Sequence, residues 1–363
     1  MKISQVLITP VGMSCNLKCV YCYNGQFASS KNNILKQETL RRFFSELTEV
    51  VGKKVTIIWH GGEPTIIGCK KFENYLKEEE ILRSEGIEVR NCLQTNGILL
   101  SESWCDLFQS YDVRPSLSID GPAFIHDLQR YDYHNLPTYN RVMSGMELLR
   151  GRGIKHGLLI VITKKSLEFV EEIFKWVIEN NIKSFDFLPC FEPELIKNKK
   201  EHNSPSPDEF AEFLINFFDL WWKHDDCIKV RIFNDVLRYF LGSKVTICSW
   251  RGSCSWIISL NEFGQLFPCS RFHGYKKTSF GQIGNNSLAE ILTSSKYINI
   301  RNVMLSGQKE CINCDRLELC GGGCPLARYS LGDSFSTPYY YCSTRKRLFD
   351  HIENKLAIQQ TNH

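Results

Sequence analysis

Three cysteines, Cys15, Cys19 and Cys22, stand in C-x3-C-x2-C spacing within the stretch VGMSCNLKCVYCYN that begins at Val11. Thiolates are soft ligands that suit zinc and iron–sulfur clusters. Three is odd for a disulfide framework and one short of the four ligands of a closed tetrahedral site. Zinc would need a fourth ligand, and the adjacent sequence offers no histidine. A four-iron cluster tolerates three protein ligands, because each thiolate binds a different iron; one iron then stays open to a group that is not protein.

Eight further cysteines lie between residues 248 and 342: Cys248, Cys254, Cys269, Cys311, Cys314, Cys320, Cys324 and Cys342. Eight ligands fit two closed four-ligand sites, of iron–sulfur or of zinc. The other five of the 16 cysteines, Cys69, Cys92, Cys105, Cys190 and Cys227, are scattered and read as structural thiols.

Elements must position these groups. The first half of the chain alternates strand-like and helix-like segments, with strands at SQVLITPV, KVTIIW, IEVRNCLQ, VRPSLSI, KHGLLIVIT and SFDFLPC. Six strands separated by helices predict right-handed crossovers and a parallel sheet, here a six-unit partial β/α barrel. The polar and Gly-Pro clusters follow the strands, at the edge where parallel sheets build sites. The cysteine loop follows the first strand, GGEP (Gly61 to Pro64) the second, QTNG (from Gln94) the third and SIDGP (from Ser118) the fourth. Two glycines let backbone approach a ligand closely, and Glu63 offers a carboxylate to a cation. From Pro205 the pattern changes to amphipathic helices at PDEFAEFLINFFDLWWKH and RIFNDVLRYFLGS, whose apolar stripes predict packing. A Cys- and Gly-rich segment follows, then a closing helix near TRKRLFDHIENKLA. The expected division is 1–204 barrel, 205–247 helical bridge, 248–342 cysteine-rich domain and 343–363 terminal helix.

These motifs, in this order, resemble the radical S-adenosylmethionine (radical SAM) enzymes, whose signature has an aromatic residue before the third cysteine; Tyr21 stands there. The resemblance implies that SAM chelates the open iron and is cleaved to a 5′-deoxyadenosyl radical. It places Tyr21, Gly61, Gly62, Glu63, Ser118 and Arg130 around SAM, with Glu63 toward the ammonium and Ser118 toward the carboxylate. The later cysteines resemble the SPASM extension with two auxiliary [4Fe–4S] clusters. Carried over, Cys248, Cys254, Cys269 and Cys324 hold one cluster, and Cys311, Cys314, Cys320 and Cys342 the other. The family therefore implies three [4Fe–4S] clusters and SAM as cofactors.

Over about residues 8–352 the chain most resembles the anaerobic sulfatase-maturating enzymes, which oxidise Cys or Ser of a sulfatase to formylglycine. Two positions depart: His60 stands where that group has Gln, and Ser270 where it has an Asp proposed as base. With Gln94 and Tyr23 they form the candidate catalytic set. Loss of the Asp points to a maturase of ribosomally made peptides, forming a cross-link or a related oxidised side chain. The alternatives are a formylglycine-forming sulfatase maturase, a small-molecule radical SAM dehydrogenase and a non-catalytic iron–sulfur electron carrier. Expected partners are a precursor peptide or protein and an electron donor such as flavodoxin or ferredoxin. With 14 residues ahead of Cys15, no separate N-terminal peptide-recognition domain is expected.

Composition sets the bounds. The 363 residues are 43% hydrophobic and 23% charged, as in a packed globule of more than one domain. A net charge of +4 is too small to argue for nucleic acid, and the KNKKEH run reads as a solvated loop. No apolar run approaches a membrane span, and the N-terminus lacks the pattern of an export signal. Reduced thiols in the cytoplasm are the consistent setting.

Overall fold

The computed structural model describes residues 2–23, 33–224, 227–252, 254–306 and 311–361. All six expected strands are present: β1 (Ile3–Ile8), β2 (Val51–Trp59), β3 (Glu88–Thr95), β4 (Val113–Ser118), β5 (Gly157–Ile162) and β6 (Ser184–Pro189). Four more are short: β7 (Lys229–Val230), β8 (Ile257–Leu260), β9 (Gln265–Phe267) and β10 (Gly281–Gln282). The protein is an α/β fold with a parallel core, as the alternation predicted. It divides into two compact units that interleave along the chain.

The first unit comprises Met1–Ser118, Asp127–Gly157 and Cys254–Asn302. Its strands run in the order β10-β9-β8-β1-β2-β3-β4. Neighbours from β8 to β4 are parallel, while β9 pairs antiparallel with both β8 and β10. Ile8 lies beside Trp59, Trp59 beside Leu93, and Thr95 beside Leu117, so the C-terminal ends align. Alternation sets the burial: Val55, Ile57 and Trp59 are all fully buried. The helix Gln37–Leu47 buries Leu40, Phe43, Phe44 and Leu47 on one face. Where the sequence KKFENYLKEEEILRSE suggests one helix, there are two, Cys69–Lys77 and Glu80–Ser84. Between them Glu79 turns fully inward and accepts from Asn91 Nδ2 (2.7 Å), while Trp59 Nε1 donates to Asn91 Oδ1 (3.1 Å). A buried polar contact there outweighs the continuation of the helix.

The second unit comprises Ile119–His126, Leu158–Ser253 and Val303–His363. Strands β5, β6 and β7 pair in parallel, with Ile160 beside Phe187 and Phe185 beside Val230. The helix Pro207–Trp222 opens on a capping box between Ser206 and Glu209 with proline in its first turn. It buries Phe210, Phe213, Phe217 and Phe218. Phe217 and Phe213 meet Phe187 of β6 edge-on, at 4.8 and 5.2 Å between ring centroids. The stripe is packing surface, as its spacing suggested. The closing helix begins at the last cysteine and spans Cys342–Thr361.

Candidate cofactor and active site

The cysteine loop leaves β1 and is tied down by backbone. Lys18 N donates to Tyr131 O (2.8 Å) and Val20 N to Gln129 O (2.9 Å), beside a bridge between Leu17 and Asp132. The three thiols lie within electrostatic reach of one another. Burial first, then the negative charge of Glu63 and of the other two thiolates, pushes Cys15 up to about 12, against a lowering bond from Leu17 N. Ligation by a metal replaces that proton. Three soft donors on one short loop fit an open cluster site.

The loop rests on the end of β2. Gly62 N donates to Gly12 O (2.7 Å) and Glu63 N to Ser14 O (2.8 Å). A Cβ on Gly62 would stand 1.9 Å from Ser14 O, and Gly61, at φ +115°, is closed to other residues by its backbone as well. The close approach that the two glycines permit is to this chain's own residues 12–14.

Glu63 is 1% exposed and turned inward. Its Oε1 accepts from Thr65 N (3.0 Å), Thr65 Oγ1 (2.7 Å) and Thr95 Oγ1 (2.7 Å), and its Oε2 from Asn96 N (2.6 Å). Burial raises its pKa against these bonds. The carboxylate latches the end of β2 to the end of β3. Asn96 continues the chain of contacts, donating from Nδ2 to Asn16 Oδ1 in the cysteine loop (2.7 Å). Thr65, Thr95 and Asn96 were not singled out from sequence, although QTNG contains two of them.

Two other sequence candidates meet as pairs. Gln94 Nε2 donates to Ser118 Oγ (2.9 Å), which joins the ends of β3 and β4. Arg130, 6% exposed, donates to Tyr21 OH (2.6 Å) and lies 5.9 Å from its ring centroid. That pair fixes the residue just ahead of Cys22.

His60, Tyr23 and Ser270 belong to the same unit. The Arg271 guanidinium lies 5.5 Å from the Tyr23 ring centroid. Burial, then the Arg271 charge, pushes His60 down to about 4. Its Nδ1 accepts from Gly61 N (2.7 Å), so the proton of the neutral ring is on Nε2. His273 is neutral too, pushed down to about 3 by burial and by His60. Its Nε2 faces Ser259 Oγ (2.9 Å), whose own proton goes to Leu7 O (2.9 Å). Ser270 is 2% exposed, and its Oγ has no hydrogen-bond partner among the described residues. None of these groups is a carboxylate. Arg271 and His273 escaped the sequence reading because their effect on His60 arises across the sheet.

In the second unit Cys311, Cys314, Cys320 and Cys342 line one pocket, with Arg316, Arg328 and Lys346 around them. Burial, then the neighbouring thiolates Cys320 and Cys342, raises Cys311. Four thiols ringed by cations fit an anionic cluster of four thiolates. Of the other expected set, Cys254 and Cys269 belong to the first unit, and Cys248 and Cys324 to the second. Among the scattered five, Cys105 and Cys190 are buried, Cys69 and Cys92 half-buried and Cys227 exposed.

Residues 9–194 match the family model of the radical SAM superfamily, and residues 248–315 match SPASM, an iron–sulfur cluster-binding domain. The chain is 28% identical to a cysteine-type anaerobic sulfatase-maturating enzyme of Clostridium perfringens, over 99% of this chain and 98% of that one. It is 27% identical to a serine-type anaerobic sulfatase-maturating enzyme of Bacteroides thetaiotaomicron, over 96% and 89%. Among solved structures it superposes on native anSMEcpe with bound AdoMet and Kp18Cys peptide at a TM-score of 0.88, with 28% identity over 99% of each chain.

Proposed function

The chain belongs to the radical SAM superfamily and carries a SPASM iron–sulfur domain; from that premise we propose that it oxidises a side chain of a peptide or protein at a site whose two departing positions, His60 and Ser270, supply no carboxylate base. When bound, a [4Fe–4S] cluster and SAM supply a carbon radical that takes a hydrogen from the substrate. Cys15, Cys19 and Cys22 hold that cluster in this reading. Gly61 and Gly62 shape the backbone around SAM, Ser118 and Tyr21 line its site, and Arg130 and Glu63 position the loops that carry these groups. Cys248, Cys254, Cys269 and Cys324 hold one auxiliary cluster, and Cys311, Cys314, Cys320 and Cys342 the other. A small iron–sulfur or flavin protein in a reducing cytoplasm supplies electrons.

One observation carries the choice of reaction: the two departing positions hold His60 and Ser270, and the charge that reaches His60 is the Arg271 cation. Making formylglycine requires the Cys thiol or Ser hydroxyl to lose a proton after its β-hydrogen is taken. A carboxylate, ionised at neutral pH, does this well. Ser270 is a hydroxyl, His60 is pushed down to about 4 with Nδ1 already engaged, and Arg271 is a cation. Attack of a carbon radical on an aromatic ring makes a weaker demand: once the radical adduct has given up one electron, for which an auxiliary cluster would be the acceptor, it loses an acidic ring proton that water can take. The site therefore favours cross-linking or a related oxidation in a ribosomally made peptide.

A second reading is supported by similarity to sulfatase maturases over 99% of the chain: the enzyme makes formylglycine with water as the base. Anaerobic incubation with SAM, a reductant and a sulfatase-motif peptide containing Cys or Ser separates the two. Deoxyadenosine without peptide conversion, and conversion of an aromatic-containing peptide, is the outcome for the first. Rapid stoichiometric aldehyde establishes the second. The variant with Cys15, Cys19 and Cys22 all changed to Ala serves as the control without SAM cleavage.

A further inference from the structure

Arg345 sits one turn into the helix Cys342–Thr361 and is 6% exposed. Its Nη1 donates to Cys320 Sγ (3.4 Å), Cys320 O (2.9 Å) and Ser249 O (3.2 Å). Its Nη2 donates to Ser249 Oγ (3.0 Å) and Tyr339 OH (3.4 Å). The guanidinium carbon lies 4.4 Å from the Tyr339 ring centroid and 5.3 Å from that of Trp250. All of these residues belong to the second unit. No carboxylate among the described residues forms an ion pair with Arg345, and a buried cation without a counter-charge is costly. The anions on hand are the thiolates themselves. A [4Fe–4S] core with four thiolates carries two negative charges when oxidised and three when reduced. A fixed cation and an N–H···S bond stabilise the reduced form more than the oxidised one.

We propose that Arg345 sets the reduction potential of the auxiliary cluster on Cys311, Cys314, Cys320 and Cys342. It raises that potential through its charge and a hydrogen bond to sulfur. This goes beyond the proposed reaction and does not depend on which side chain is oxidised. Lys346 supplies the internal comparison. It also acts on Cys314 and Cys342, but it is far less buried than Arg345, so water screens it.

The experiment is an EPR-monitored redox titration of the full chain, reconstituted anaerobically with iron and sulfide, with iron content measured alongside. In Arg345→Gln one auxiliary midpoint, that of the Cys320 cluster, moves to more negative potential at unchanged iron. Arg345→Lys, which keeps the charge and loses the planar fork, gives a smaller shift, and Lys346→Met a smaller one than Arg345→Gln. Wild-type midpoints in a fully loaded Arg345→Gln protein overturn the proposal. Should that variant fail to load, Arg345→Lys decides: a shifted midpoint upholds the assignment and wild-type midpoints reject it. Iron sufficient for one cluster only in the native chain rejects it as well.

Discussion

Glu63 joins what the sequence placed at two separate strand ends. Its carboxylate accepts four hydrogen bonds from Thr65, Thr95 and Asn96 in a site that is 1% exposed. Replacing it with alanine strands two buried backbone N–H groups, at Thr65 and Asn96. Glu63→Ala is expected to destabilise the metal-free chain by roughly 2–4 kcal/mol, read as a lower denaturant midpoint. An unchanged midpoint would mean that the carboxylate is free for a ligand instead. His60 makes the second prediction at this scale. With its pKa at about 4 rather than 6.5, it is neutral throughout the neutral range. The pH profile of substrate conversion, measured from about pH 5.5 to 8, is expected to show no inflection that His60→Gln removes. An inflection at the ordinary imidazole value, abolished by that variant, would identify His60 as a working base after all.

At the scale of elements, alignment of the strand ends makes the site, and buried polar residues behind the sheet fix the alignment. Glu79, between two short helices, is held by Asn91 of β3 and by Arg83. Burial, against bonds from Asn91 and Arg83, raises its pKa from 4.5 to about 7. The folded chain therefore binds this proton more tightly than the unfolded chain. The stabilisation is fully present below 4.5, is lost as pH rises through 7, and amounts to roughly 3 kcal/mol. The thermal midpoint of the metal-free chain is expected to fall between about pH 5 and pH 8, and Glu79→Gln to flatten that slope. The same slope in the variant would assign the dependence to other groups. Gly62 shows the opposite constraint, where absence of a side chain lets the strand end dock on residues 12–14.

For the whole molecule, the chain order and the packing order differ. Strand β8, from the cysteine-rich second half, pairs in parallel with β1, Val6 beside Ile258 and Ile8 beside Leu260. The first strand of the barrel thus takes its outer neighbour from residues 257–260. A chain cut after residue 247 exposes the edge of β1 and loses the apolar residues of β8 and β9, including Ile258, Leu260 and Leu266, all fully buried. That fragment is expected to aggregate on expression, whereas the full chain stays dispersed in size-exclusion chromatography. A well-folded, dispersed fragment would show that the barrel is self-sufficient.

Much of this was legible in the residues themselves. Strand and helix periodicity, the order of the turn motifs and the spacing of the cysteines are local properties, written within windows of a few residues, and they led to the radical SAM and SPASM domains. Cys311, Cys314, Cys320 and Cys342, distant by up to 31 positions in the chain, line one pocket. What tertiary structure alone decided is electrostatic and steric. Burial and Arg271 make His60 a weak base, inward turning makes Glu63 a latch, and packing brings Arg345 against Cys320. Desolvation and charge–charge contact depend on distances between residues far apart in the chain, and spacing along the sequence does not record those distances.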